Sequence, residues 1–279
     1  MPDFRSLWRE QRSNTSRYII AYQKWFASRI KLIPTKMIKN IPIEKVLFLD
    51  IETVPQVSNF AELSETEQKL WDKKTARQRE EDISAEDFYR DRAGIMAEFG
   101  KIICISIGIY DKNNKILIRS FAGDNEEELL KEFGEIFNRP KLQNVILCAH
   151  NGKEFDFPWI ARRFLINGMQ PPIPFQMFGK KPWEIPHLDT MELWKFGDWK
   201  SFISLELMAH IFGVPTPKDD IDGSMVSSIY YIEKDLPRIV KYCEKDVLTL
   251  ANIFRKMRQE DLIGKQIIAV VNFPKKTDC

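Results

Sequence analysis

The stretch KVLFLDIETVP, residues 45–55, sets two carboxylates into an otherwise apolar run. Its hydrophobic residues predict a buried strand over 45–52. Because side chains alternate along a strand, Asp50 and Glu52 point to the same face. Two like charges this close repel each other and lose hydration beside an apolar core, so the pair indicates a bound divalent cation. The alternative is that the strand ends here and both acids are solvated at its tip.

Composition narrows the class of protein. The chain has 279 residues, 44% of them hydrophobic, which is enough to build a substantial core. Its four cysteines lie far apart without a CxxC pair, so the sequence favours neither a zinc cluster nor a disulfide framework. The N-terminus carries charges where a secretory signal would be apolar, and no window has the length of a membrane span. We therefore expect a cytoplasmic protein without membrane contact.

Charge is distributed unevenly. Residues 1–36 hold eight Lys or Arg and two Asp or Glu, whereas the net charge of the whole chain is only +2. The main body is therefore slightly acidic, which argues against coating a duplex by phosphate neutralisation alone. We predict a basic N-terminal extension at 1–36, helical or flexible, and one domain at 37–279.

The order of elements predicts an α/β domain with a central mixed β-sheet of about five strands, flanked by helices. A helical insertion occupies 56–99, where Ser64 with Glu67 and Ser84 with Asp87 resemble capping boxes. Strands at 102–110 and 115–123 follow as a hairpin. The remaining predicted elements alternate: helix 125–138, strand 144–150, helix 155–166, strand 187–190 and helices at 204–213 and 236–257.

Asp156 is a second candidate acid. The pair Asn151-Gly152 follows strand 144–150 and permits a sharp turn, so Asp156 begins the next helix. An acid in the first turn of a helix is often only a cap that interacts with the helix dipole. The aromatic neighbours Phe155 and Phe157 favour burial, which a capping acid does not need.

Asp246 is a third. In YCEKDVLTL, residues 242–250, helical spacing places it on the apolar stripe, one turn from Tyr242, while Lys241, Glu244 and Lys245 are expected to face solvent. A buried acid needs a cation or several donors. The simpler alternative is a Tyr–Asp hydrogen bond that anchors the helix.

Together the segments resemble the three exonuclease motifs of the DnaQ-like, DEDD superfamily of 3′-5′ exonucleases. The match is Asp50-Ile-Glu52-Thr, then Asn151-x-x-x-Phe155-Asp156, then Tyr242-x-x-x-Asp246. With Tyr242 in the third motif, the sequence resembles the tyrosine subclass. The histidine subclass has His at the position of Lys241. Further segments, HLDTMELWKF, SLELMAHIFGVPTPK and DGSMVSSIYY, resemble predicted exonucleases related to the proofreading domain of family B DNA polymerases.

The resemblance implies a ribonuclease H-like fold and metal-dependent hydrolysis at the 3′ end of nucleic acid, with single-stranded DNA favoured over RNA. It implies that Asp50 bridges two Mg²⁺ or Mn²⁺ ions, that Glu52 and Asp246 complete one metal site, and that Asp156 holds the second ion. It implies that Tyr242 orients the attacking water.

Substrate contacts are predicted at Asn151, Phe155 and Thr53, with Phe155 offering a stacking surface. The loop QMFGKKPWE at 176–184 and Lys218 are weaker candidates for phosphate contact, for which a solvated loop is the simpler reading.

The same residues allow two rival functions. FLDIET also resembles the first motif of haloacid dehalogenase-type phosphatases, but Thr53 comes at the third position after Asp50 instead of the fourth. A nucleic-acid-binding module that has lost its chemistry is the other rival. The presence of all four carboxylates and of Tyr242 argues against it.

Overall fold

The computed structural model describes residues 38–198, 200–215 and 221–263, together with the backbone of 267–272. The predicted extension at 1–36 and the candidate Lys218 lie outside these residues, so the division at 36/37 stays a prediction. Within the described ranges, none of the helices combines the length and the hydrophobicity that a bilayer span requires.

The described residues form one mixed sheet. Its strands are β1 Val46–Pro55, β2 Gly100–Tyr110, β3 Ile116–Ala122, β4 Ile146–Ala149, β5 Leu188–Asp189 and β6 Ile267–Asn272. They lie in the order β5-β4-β1-β2-β3-β6. β1, β2 and β3 form an antiparallel meander, and β4 and β5 extend it in parallel from β1. This arrangement confirms the predicted ribonuclease H-like fold, while β6, parallel to β3, was not predicted.

Helices flank this sheet. α1 and α2 lie between β1 and β2, in the segment predicted as an insertion, and the Ser64 side chain accepts from the backbone of Glu67 in the predicted capping box. The helices of the described residues are α1 Glu65–Thr75, α2 Ala85–Arg92, α3 Glu126–Glu135, α4 Pro140–Gln143, α5 Asp156–Ile166, α6 Thr190–Lys195, α7 Leu205–Phe212, α8 Val226–Ser228 and α9 Leu236–Met257.

The two faces of β1 pack against different helices. Leu47 and Leu49 belong to a core that includes residues of α3 and α5. On the other face the ring of Phe48 lies 5.6 Å from that of Phe254 in α9, measured between centroids. The face that carries both acids is therefore the one that α9 covers.

A glycine lets α9 approach the sheet closely. A Cβ built on Gly108 in β2 would lie 2.8 Å from Val247 Cγ1 and 3.0 Å from Ile116 Cδ1. Real Cβ atoms essentially never come as near as the first of these. Val247 follows Asp246 directly, so this contact fixes the height of that part of α9 above the sheet.

The ladder between β1 and β2 contains an irregularity beside the acids. Glu52 pairs with Cys104, but Thr53 pairs with Ile102, so Ile103 has no partner across the ladder. Such a bulge puts neighbouring residues on one face, and both Ile103 and Cys104 pack towards α9.

The predicted end of the first strand at residue 52 is wrong, because β1 continues to Pro55. β2 pairs with it along this whole length, whereas β4 pairs only with Val46–Phe48. Asp50 and Glu52 thus lie inside a strand, just beyond the end of its parallel partner.

Candidate active site

Asp50 and Glu52 lie on the face of β1 that α9 covers, and we call the space around their carboxylates the pocket. The Asp50 side chain is half-buried and that of Glu52 is buried. Cys243 of α9 reaches the same place, and its Sγ lies 3.3 Å from Asp50 Oδ2. One potential ligand atom from each of the three residues lies within 4.8 Å of the others.

α9 brings Tyr242 and Asp246 to this pocket. The Tyr242 hydroxyl donates a hydrogen bond to the Asp246 carboxylate, and the charge of Asp246 acts on both Asp50 and Glu52. The two interpretations of Asp246 are therefore compatible. Tyr242 forms the expected hydrogen bond with Asp246, and the Asp246 carboxylate also faces Asp50 and Glu52.

The prediction that Glu244 faces solvent is wrong. Its carboxylate accepts a hydrogen bond of 2.8 Å from the Ser120 hydroxyl of β3. Ser120 lies 2.9 Å from the hydroxyl of Ser106 on β2. α9 lies across both strands, so a side chain expected on its outer face meets the sheet.

Asp156 enters the pocket from the loop after β4. Asn151 has a left-handed φ of 62°, and a Cβ on Gly152 would lie 2.3 Å from the Cβ of Ala149. Only glycine fits this turn. Asp156 then begins α5 with its side chain buried, and the backbone N–H of Ile51, beyond the end of the β4 pairing, donates to its carboxylate.

Asp189 at the end of β5 is a residue that sequence reasoning missed. Its Oδ1 accepts from the backbone N–H of Asn151 at 3.0 Å, and its Oδ2 accepts from that of Lys153 at 3.1 Å. It also caps α6 through Met191 N–H. Asp189 thus holds the loop that delivers Asp156. The signal available in the sequence was an acid directly between a short strand and a helix in HLDT.

The carboxylates of the pocket disfavour each other's charge. Burial raises the pKa of Asp50 and Glu52 well above their usual range, and neighbouring carboxylates raise them further, first Asp246 for Asp50 and first Asp50 for Glu52. Burial raises the pKa of Asp156 to about 7, against backbone N–H groups that lower it. A divalent cation would relieve this repulsion, because it stabilises the charged form of every acid around it.

The donor set fits a hard cation. Carboxylate oxygens suit Mg²⁺ and Mn²⁺. Cys243 does not belong to this set, because burial raises the pKa of its thiol and the thiol donates to Asp50. Nor do His150 and His187, whose ring nitrogens bond to Thr190, to the backbone N–H of Leu147 and to the carbonyls of Ile203 and Pro174.

The predicted substrate residues lie in different surroundings. Asn151 and Phe155 belong to the loop that leads to Asp156, and the half-buried Phe155 ring lies 6.2 Å from that of Trp159. The Thr53 hydroxyl donates to the Gly94 carbonyl at 2.5 Å, so this side chain has a structural partner. Contacts of all three with substrate stay predictions.

A family model described as "Predicted 3'-5' exonuclease related to the exonuclease domain of PolB" matches residues 95–263. The match includes Asp156, Tyr242 and Asp246, and begins after β1. No curated protein matches the chain.

Two solved structures are similar in part. One is the family B DNA polymerase from the hyperthermophilic archaeon Pyrobaculum calidifontis, with a TM-score of 0.44 and 14% identity over 74% of this chain and 24% of that chain. The other is E. coli Exonuclease I in complex with a dT13 oligonucleotide, with a TM-score of 0.37 and 12% identity over 71% of this chain and 42% of that chain. The chain thus spans less than half the length of either.

Proposed function

The chain belongs to the family of predicted 3′-5′ exonucleases related to the exonuclease domain of PolB, and we propose that it hydrolyses the terminal phosphodiester bond of single-stranded DNA with two divalent metal ions. Membership of this family makes it an enzyme of the 3′-5′ exonuclease class. RNA is the alternative substrate. The observation that supports this proposal is that four acids from β1, α5 and α9 lie around one pocket. The Tyr242 hydroxyl donates a hydrogen bond to one of them, Asp246.

In this proposal Asp50, Glu52, Asp246 and Asp156 would hold the ions, with Glu52 and Asp246 on one of them and Asp156 on the other. The ions, when bound, lower the pKa of the attacking water and offset negative charge on the reacting phosphate. The protein contributes carboxylates that its fold already positions, and those of Glu52 and Asp156 are buried.

Tyr242 positions the attacking water. Burial and then the charge of Asp246 raise the pKa of its hydroxyl, so the hydroxyl stays protonated at neutral pH. It therefore acts through hydrogen bonds and not as a base. Its bond to Asp246 ties it to the acid beside which the water would bind.

Asn151 and Phe155 would contact the terminal nucleotide, because their loop also carries Asp156. A half-buried phenylalanine ring offers a face on which a base of any identity stacks. Thr53 would contribute through its backbone, since its hydroxyl is engaged with Gly94. A cytoplasmic location stays part of the proposal on the basis of the sequence alone.

A product ladder tests the function. DNA and RNA oligonucleotides labelled at the 5′ end are incubated with Mg²⁺, Mn²⁺ or a chelator. We expect stepwise shortening of DNA that the chelator stops. Asp246→Asn should abolish shortening, whereas the matched control Glu244→Gln, on the same helix but bonded to Ser120, should keep it. Absence of shortening with either metal, or equal loss in both variants, would overturn the proposal.

A further inference from the structure

Two phenylalanine rings project into solvent from the segment between α6 and α7. The side chains of Phe196 and Phe202 are 92% and 69% exposed. Phe196 also has a left-handed backbone, with φ of 44° and ψ of 33°. A bulky residue in this region is strained, and such strain is concentrated at functional sites. The fold thus keeps an aromatic ring in water at a cost in backbone energy.

This segment lies at the same edge of the sheet as the acids. It follows β5, which is parallel to β4 and β1, so it emerges at the edge from which the Asp156 loop emerges. His150 Nε2 bonds to the carbonyl of Ile203 at 2.8 Å, and Lys153 pairs with Glu192 of α6. β5 is two strands from β1, which corresponds to about 10 Å.

A cation accompanies the rings. The Lys195 ammonium lies 4.5 Å from the centroid of the Phe202 ring. Aromatic faces with a nearby cation are what proteins use to hold single-stranded nucleic acid, since bases stack on the rings and the cation meets the phosphates. We define Lys195, Phe196 and Phe202 as the aromatic platform.

We propose that the aromatic platform stacks the bases of the substrate strand on the 5′ side of the terminal nucleotide. The proposal rests on the proposed exonuclease function and adds a second binding site for the same strand. Because every base has a face that stacks, the platform gives a preference for strand length and not for sequence. Strands too short to span from the acids to the platform should therefore be poorer substrates.

The chain offers a matched control in Trp183. Its side chain is also 69% exposed, and the Lys181 ammonium lies 5.3 Å from the centroid of its ring. The sequence made its loop a weaker candidate for phosphate contact, but this loop leads into the beginning of β5, at the opposite edge of the sheet from the acids. A general effect of removing an exposed aromatic next to a lysine would appear in both places.

The experiment compares F196N/F202A with W183A. Asparagine tolerates the left-handed backbone of residue 196, so the first variant removes the rings without a new strain. Affinity for a long fluorescent oligothymidylate is measured by anisotropy in the presence of a chelator. Turnover is measured with divalent metal on the same long strand and on a thymidine dinucleotide, which is too short to reach the platform. We expect F196N/F202A to bind the long strand about 10-fold or more weakly, from the usual worth of a stacked base. F196N/F202A should turn over the dinucleotide at the wild-type rate. W183A should bind the long strand with wild-type affinity.

Unchanged affinity, an equal loss in W183A or an equal loss on the dinucleotide would each overturn the platform. Unchanged affinity together with a shift from dimer to monomer in sedimentation would assign the surface to a second copy of the chain instead. If the wild type hydrolyses neither substrate, the proposed function fails, whereas the anisotropy measurement still decides whether the rings bind a strand.

Discussion

The thiol of Cys243 lies 3.3 Å from the carboxylate and 3.4 Å from the carbonyl oxygen of Asp50. This contact joins α9 to β1 at the acid itself. Cys243 follows Tyr242 directly, so a shift of the helix would move the tyrosine and the orientation of the acid together. We infer that the thiol positions Asp50 without contacting substrate or metal.

Removal of this donor should slow the reaction. Cys243→Val replaces the thiol by a somewhat larger apolar side chain and loses the hydrogen bond, and we expect kcat to fall about 10-fold, as for one hydrogen bond to a charged group. Cys243→Ser keeps a donor and should stay close to the wild-type rate. Steady-state kinetics with thermal unfolding as a check on folding would measure this, and a wild-type rate in Cys243→Val would refute the positioning role.

Tyr242→Phe should separate catalysis from metal binding. The ring stays in place, but the hydroxyl that bonds to Asp246 is lost. We expect kcat to fall about 10-fold or more, the usual worth of a well-oriented group, while Mn²⁺ affinity measured by calorimetry changes little. Parallel losses of rate and metal affinity would show that the hydroxyl only supports Asp246.

The metal-free protein should lose stability as pH rises from about 4 to about 7. The folded pKa of Asp156 is raised to about 7 from an ordinary value of 3.8, so the folded chain holds a proton that the unfolded chain has released. The stability it contributes is complete below the ordinary value and is lost as pH rises through the folded pKa, by at most about 1.4 kcal/mol per pH unit. The raised pKa values of Asp50 and Glu52 act in the same direction.

Denaturant unfolding in a chelator would measure this slope. The Asp156 contribution is lost between about pH 4 and 7, and His187, whose pKa is lowered from 6.5 to about 4, contributes in the opposite direction over the same range in the wild type and in Asp156→Asn alike. Asp156→Asn should remove the Asp156 contribution and make the slope more positive, and saturating Mn²⁺ should act in the same direction because metal binds the deprotonated acids. An unchanged slope in Asp156→Asn would place the titration elsewhere.

The buried pair Glu126–Arg163 should matter for stability and not for chemistry. Arg163 Nε lies 2.9 Å from Glu126 Oε1, which also accepts the Ile102 N–H at 2.7 Å, and Arg163 Nη1 donates to the Ala97 carbonyl. Arg163→Met leaves a buried charge without its partner and should lower the free energy of unfolding by about 3–5 kcal/mol. The double variant Glu126→Gln/Arg163→Met should recover part of this in denaturant titrations. Equal stability of the single variant and the wild type would contradict the argument.

Much of the fold followed from local pattern. The apolar run before Asp50, the hairpin and the 236–257 helix have periodicities that need no tertiary information, and the structure confirms all three. Asp156 and Asp246 could be singled out because an acid among apolar neighbours conflicts with its surroundings.

What escaped prediction depends on contacts between distant segments. Asp189 has the pattern of a simple helix cap, and its hold on the Asp156 loop exists only because β5 lies beside β4. The extension of β1 to Pro55 depends on a bulge in its partner. Glu244 faces the sheet because of where α9 crosses it. The run IIAVVN of β6 is rich in β-branched residues and favours a strand, but its partner β3 lies about 150 residues earlier in the chain.

Gly108 has no functional group, yet the spacing between two of the acids depends on it. The close packing of Val247 against this glycine sets the distance between Asp246 and Asp50. A methyl group at position 108 would lift the helix and widen the gap between the two carboxylates, in a chain that could still fold. A screen for inactive variants would then mark as essential a residue that touches neither substrate nor ion.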